Sequence, residues 1–137
     1  MVSWACISDE SSNPIQDRAD TPTIEAFSSE LFQSISAAEI SMQHKQFSHA
    51  IQCCSHILDS PRINELSAVD RDTLIERATY NMAYSYEQQG DSHSSLKYYE
   101  KYKSMRPQNI TTLHKLSTLY AEVENYEYSF KYCDMCI

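Results

Sequence analysis

A single glycine and four prolines in 137 residues leave little material for the many tight turns an all-β fold needs. No apolar run is long enough to span a bilayer. No export signal is expected at the amino terminus, since Val2 to Ile7 is short, lacks a leading basic residue and runs straight into Asp9 and Glu10. Basic side chains are scarce, 11 against 19 acidic ones, for a formal charge of −8. A surface of that sign repels phosphate backbones and anionic headgroups, so neither nucleic acid nor a membrane is expected as a partner. The acidity serves either solubility or the choice of basic partners. Catalytic signatures are missing too. There is no Gly-rich phosphate loop, His-Glu-x-x-His or nucleophile elbow, and Glu122 with Glu124 reads as a solvated face. No enzymatic activity and no cofactor are expected.

What is present points to helix. Apolar residues make up 42% of the chain, enough for the core of one domain. Residues 1–22 are expected to form a flexible acidic tail, where Asp9, Glu10, Asp17 and Asp20 outnumber Arg18. Trp4, Ile7 and Ile15 are the exceptions there, and Trp4 is expected to pack back on the domain, the alternative being contact with a partner. From Thr23 on, the period is helical: Leu31, Ile35, Ala38 and Met42, then Phe47, Ala50, Ile51, Cys54, Ile57 and Leu58, with a break at His44 to Gln46. Asp59-Ser60-Pro61 stops this first hairpin, and Ser67 or Asp70 caps the next helix, which runs through Leu74, Ala78, Met82 and Tyr86. Gly90-Asp91 closes it. A partner helix carries Leu96, Tyr99 and Tyr102 up to Pro107. The third pair places Leu113, Leu116, Leu119 and Tyr120 on one helix and Tyr126, Phe130, Cys133 and Ile137 on the other. The hairpins are expected at about 29–60, 68–107 and 108–137.

The second and third hairpins repeat each other at 34 residues. Met82 recurs as Leu116, Ala83 as Ser117, Tyr86 as Tyr120, Ser95 as Ser129, Tyr99 as Cys133 and Tyr102 as Cys136. The first hairpin is offset from the second by 45 residues, and the additional 11 are expected to lengthen the loop and helix around Arg62 to Ile75. A period of this length marks stacked helical hairpins. Small residues at Ala38, Ala83 and Ser117 are expected to let each first helix approach its partner closely, at Ala50, Ser95 and Ser129.

Cysteine and histidine raise a metal site, since Cys133 and Cys136 form a C-x-x-C and Cys53-Cys54 lies near His49 and His56. Structural zinc takes four such ligands around a turn, and continuous helix is expected here instead. Cys54, Cys133 and Cys136 are therefore read as core residues, and no metal is expected. Five Cys, an odd number, suit a reducing compartment, where thiols act as small hydrophobes. The expected location is cytoplasmic.

Thr79, Met82-Ala83, Tyr86, Ser95, Tyr99 and Pro107 fill the places of the pattern W-x2-L-G-x2-Y, A-x3-F, P. On these residues the chain resembles the tetratricopeptide repeats over roughly Ser29 to Ile137. Leu113, Leu116-Ser117, Tyr120, Ser129 and Cys133 match again, and Ala37-Ala38, Ala50 and Cys54 match more weakly, with Ser34 and Ser41 where large residues are usual. The resemblance implies an all-α fold, a right-handed superhelical stack of antiparallel hairpins, and a non-catalytic role in holding another protein.

It also implies a concave face on the first helix of each hairpin. That face would carry Phe32, Ile35, Glu39 and Met42, then Arg77, Tyr80, Asn81 and Tyr84, then His114 and Lys115, and would grip a partner's peptide or helix. Tyr80 and Tyr84 are read either as contact residues or as supports for the neighbouring hairpin. Family members that hold acidic chaperone tails use Lys and Asn clamps. Only Asn81 and Lys115 fit that scheme, while Glu39 would repel such a tail, so the co-chaperone role is not expected. Phe130, Cys133, Cys136 and Ile137 would leave apolar surface at the last face, open to a continuing chain or to self-association. The resulting expectation is the amino-terminal part of a larger scaffold; the alternatives are a small stand-alone adaptor or chaperone, and the targeting domain of an enzyme.

Overall fold

In a computed structural model that describes residues 23–136, capping fixes where almost every helix begins. The expectations for the 1–22 tail, Trp4 and Ile137 lie outside the described residues. Thr23 accepts from the Ala26 amide at 3.1 Å and opens α1, Ile24–Gln43. Helix α2 is Phe47–Asp59, and a 3-10 turn over Pro61–Glu65 follows it. Ser67, with Asp70 in the first turn, caps α3, Ala68–Gln88. Asp91 caps α4, Ser92–Met105; Asn109 caps α5, Ile110–Glu122; Asn125 caps α6, Tyr126–Met135. Each side chain takes up an amide that would otherwise be orphaned at a helix start. Among the described residues the chain is all-α, with no strand, and no helix is long and apolar enough to cross a membrane.

Every helix packs on the next in the chain, and α1 also meets α3. The buried faces follow the expected spacing: Leu31, Ile35 and Ala38 on α1, Ala50, Cys54 and Ile57 on α2, Leu74, Ala78, Met82 and Ala83 on α3. Helix α1 starts five residues before the expected hairpin boundary, because Phe27 joins the core and Arg62 lies over its ring at 4.8 Å. The 45-residue offset is accounted for by the longer connection at 60–67, against 106–109, and by an α3 of 21 residues against 13 in α5.

The three hairpin turns share one geometry. Lys45, Gly90 and Glu124 all adopt positive φ, at 60°, 82° and 61°. In each turn the next residue's amide reaches back five residues: Gln46 to Ser41 at 2.8 Å, Asp91 to Tyr86 at 3.0 Å and Asn125 to Tyr120 at 2.8 Å. A second bond in each runs at 3.0 Å, to Met42, Glu87 and Ala121. This is the Schellman closure, repeated at the 45- and 34-residue offsets. Only Gly90 has the residue type the conformation prefers. Glu124→Gly is therefore expected to stabilise the domain by about 1 kcal/mol, seen as a rise in melting temperature; an unchanged or lower midpoint would contradict the turn geometry.

The close crossings also recur. Ala38, Ala50, Ala83 and Ser95 are fully buried. The Ser95 hydroxyl donates to the Ala83 carbonyl at 2.8 Å, and Ser117 and Ser129 donate to each other's carbonyls at 3.0 and 2.9 Å. Backbones must be near one another for such short side chains to bridge them.

Of the residues expected to leave apolar surface at the last face, Phe130 is 69% exposed and Cys133 is exposed, as is Tyr126 at 56%; the reading of Cys133 as a core residue is therefore corrected. Helix α6 carries two stripes, and the inward one is Ser129, Tyr132 and Cys136, with Tyr132 buried at 2%.

Candidate functional site

The first helices α1, α3 and α5 bring most of the expected face together and join it with ion pairs. Glu39 on α1 is held at both oxygens. Arg77 Nη2 donates at 2.6 Å, Arg77 Nε at 3.1 Å and Asn81 Nδ2 at 3.1 Å. Partial burial by itself would raise the Glu39 carboxyl, but the hydrogen bonds from Arg77 and then Asn81, with the Arg77 charge, outweigh it and hold the group below the ordinary carboxylate value. The same contact pushes the Arg77 guanidinium upward. Both side chains keep more than a third of their surface, 39% for Arg77 and 36% for Glu39, so solvent screens the pair.

A group whose folded value is depressed stabilises the fold above its unfolded pKa, and that stability disappears as pH falls through the folded value. Glu39→Gln is therefore expected to cost about 1 kcal/mol at neutral pH. The gap from the parent should close on acidification below about 4.5, the ordinary value for such a group. Urea unfolding of both proteins across that range checks this, and a gap independent of pH would contradict it.

A second carboxylate, Glu87 on α3, joins its helix to α5, at the place in the repeat that Met42 and not Glu39 holds in the first hairpin. It accepts from the Tyr99 hydroxyl at 2.8 Å and from Lys115 Nζ at 3.1 Å, and the same ammonium lies 5.5 Å over the Tyr84 ring. Asn81 and Lys115, the two residues suited to an acidic tail, are thus engaged by carboxylates of this chain.

The remaining expected residues divide by burial. Ile35 does not line the face at all: it is fully buried in the core, because α1 rolls its Leu31-Ile35-Ala38 stripe inward. Asn81 is 6% exposed and acts through Glu39. Phe32 and Met42 are half-buried against the core. Tyr80 is half-buried, packing edge-on to Tyr99 at 5.9 Å and tilted against Tyr102 at 5.2 Å. Tyr84 lies half-buried between hairpins, edge-on to Phe47 at 6.2 Å on one side and beneath Lys115 on the other. His114 is exposed.

Sequence reading missed a third carboxylate site. Glu100 on α4 accepts from the Tyr120 hydroxyl at 2.6 Å and from Tyr132 at 2.8 and 2.9 Å, while Lys103 donates to the Tyr132 oxygen at 3.2 Å. Burial, then the bond to Glu100, pushes the Tyr120 and Tyr132 phenols upward, so both stay neutral donors. The available signal was the identity of Tyr98 and Tyr132 at the 34-residue offset. Tyr86 stacks on Tyr98 at 5.8 Å, and Tyr120 on Tyr132 at 5.7 Å. In the first hairpin the corresponding positions hold Ser41 and Cys53, and His49 bridges them, 2.7 Å from the Ser41 hydroxyl and 3.9 Å from the Cys53 sulfur.

Among the described residues no three His, Cys, Asp or Glu side chains are grouped to hold a metal ion. Burial, followed by the Cys53 and Glu39 charges, pushes the Cys54 thiol up to about 12. Cys136 is half-buried against the second core cluster, whereas exposed Cys133 is not a core residue. Compared with known proteins, the chain matches no family model and no curated protein.

Proposed function

We propose that this chain is a tetratricopeptide-like module that stacks its hairpins as a right-handed superhelix. It acts without catalysis, in the cytoplasm, by holding a peptide or helix of another protein along its first helices. The observation that carries this reading is the recurrence of one hairpin turn at Lys45, Gly90 and Glu124, joined to ion pairs that tie each first helix to the next, Glu39 to Arg77 and Glu87 to Lys115. Recurring turns, with an ion pair between each first helix and the next, support a rotation from hairpin to hairpin and hence a continuous inner surface.

The chemistry of that surface favours an apolar or aromatic ligand. The cations Arg77 and Lys115 are already paired, which leaves the rings of Tyr80 and Tyr84 with the exposed imidazole of His114. Tyrosine suits such a role because its ring buries while its hydroxyl stays bonded.

Selection from a displayed library of short peptides tests the reading. Selected sequences are expected to be rich in apolar residues, and to bind Tyr84→Ala about tenfold more weakly, a loss of about 1.4 kcal/mol, with the helical circular dichroism of the parent retained. His114→Ala, an exposed change that leaves the core alone, should also weaken binding. No enrichment over a scrambled library, or equal binding by both variants and the parent, would refute the proposal.

A further inference from the structure

The first hairpin breaks the repeat where the other two stack a pair of tyrosines, Tyr86 on Tyr98 and Tyr120 on Tyr132. In their place stand Ser41 on α1 and Cys53 on α2, and the imidazole of His49 lies between them. The other hairpins have Ser94 and Tyr128 at the position of His49. His49 and Cys53 are 4 residues apart on α2, a spacing that sets both side chains on one side of a helix. His49 Nε2 lies 3.9 Å from Cys53 Sγ, and His49 Nδ1 lies 2.7 Å from the Ser41 hydroxyl, a group buried at 5% exposure. When Nδ1–H donates to that hydroxyl, Nε2 keeps its lone pair and turns it toward the sulfur. His49 is exposed and Cys53 half-buried, so an ion reaches the pair from solvent.

We propose that His49 Nε2 and Cys53 Sγ chelate one Zn2+ ion, with Ser41 as the positioning residue. Zinc bonds of about 2.0 Å to nitrogen and about 2.3 Å to sulfur, at a tetrahedral angle, place the two ligand atoms roughly 3.5 Å apart. A small rotation of either side chain closes the observed separation to that value. The Ser41 hydroxyl is the outer partner that fixes the tautomer and plane of a ligating imidazole. Thiolate with imidazole selects zinc over magnesium or calcium, which take oxygen ligands. Burial pushes the Cys53 thiol up, so zinc displaces its proton, which passes to solvent. Water completes the coordination, since no third His, Cys, Asp or Glu is grouped with the pair among the described residues. Both ligands stand on a second helix, away from the first helices that carry the proposed peptide surface, and the inference does not depend on that reading.

Titration calorimetry of Zn2+ into the reduced full chain tests this, with Cys133→Ser and Cys136→Ser introduced so that the other cysteine pair cannot compete. One equivalent is expected to bind. His49→Ala and Cys53→Ser, each retaining the parent's helical circular dichroism, are each expected to weaken binding at least tenfold. Ser41→Ala keeps both ligands but frees the ring, and is expected to weaken binding about tenfold at unchanged stoichiometry. Co2+ used in place of zinc is expected to give thiolate-to-cobalt charge-transfer absorption that Cys53→Ser abolishes. Absence of zinc binding at millimolar concentration would overturn the inference, as would an affinity unchanged by either ligand substitution.

Discussion

Leucine in place of Ala83 is expected to lower the unfolding free energy by about 3 kcal/mol, measured as a shift in the urea midpoint. Ala83 is fully buried, and its carbonyl accepts the Ser95 hydroxyl at 2.8 Å. That hydrogen bond sets how near α4 lies to α3, and it leaves no room for three more carbon atoms. Overpacking of this kind costs about 1–3 kcal/mol, and displacing the Ser95 bond adds about 1 kcal/mol. Ala26→Leu provides the contrast, because Ala26 is exposed in the first turn of α1, where surface changes stay within about 0.5 kcal/mol. Equal midpoints for the two variants would show that the hairpin register is not what holds these helices together.

Truncation of Tyr99 is expected to be larger still, about 3–5 kcal/mol for Tyr99→Ala. Its ring is fully buried, meets Tyr80 edge-on, and belongs to the cluster that includes Leu96, Leu113 and Leu116. The hydroxyl also donates to Glu87, whose other oxygen holds Lys115 on α5. Tyr99→Phe isolates this polar part and should cost only about 1–2 kcal/mol, the value of a hydrogen bond to a charged acceptor. Burial, then the bond to Glu87, pushes the Tyr99 phenol upward, so the hydroxyl is a donor at neutral pH. If the Phe and Ala variants prove equally unstable, ring packing is not what the site contributes.

Much of the architecture was legible in the chain before any coordinates. Ser67 marks a helix start because a short polar side chain takes up free amides, and Gly90 marks an end because glycine accepts the left-handed backbone. The paired small residues at Ala83 and Ser95, and at Ser117 and Ser129, mark crossings because only they let two backbones approach. The harder residues were those with two plausible directions. Phe130 and Cys133 sit at helical spacing, as does the Ser129-Tyr132-Cys136 stripe, and periodicity along one helix cannot say which stripe meets its own hairpin and which meets the next.

The candidate face was less legible for a related reason. Ile35 and Glu39 are four apart and share a helical side in projection, yet a small roll of α1 buries the isoleucine and leaves the carboxylate at the margin. Which acid meets which base was not readable either, since Glu39 and Arg77 are 38 residues apart, and Tyr132 reaches Glu100 over 32. Lys45 and Glu124 give no composition signal for the left-handed backbone they adopt. The turn imposes it on whatever residue occupies the place.

By itself, then, the chain determined its helices, its punctuation and the offset at which its units recur, because these follow from interactions between residues a few positions apart. Tertiary structure alone decided the rotation of each helix about its axis. That rotation is set by how neighbouring hairpins share volume, and it selects which tyrosines, carboxylates and cations meet one another and which are left facing outward.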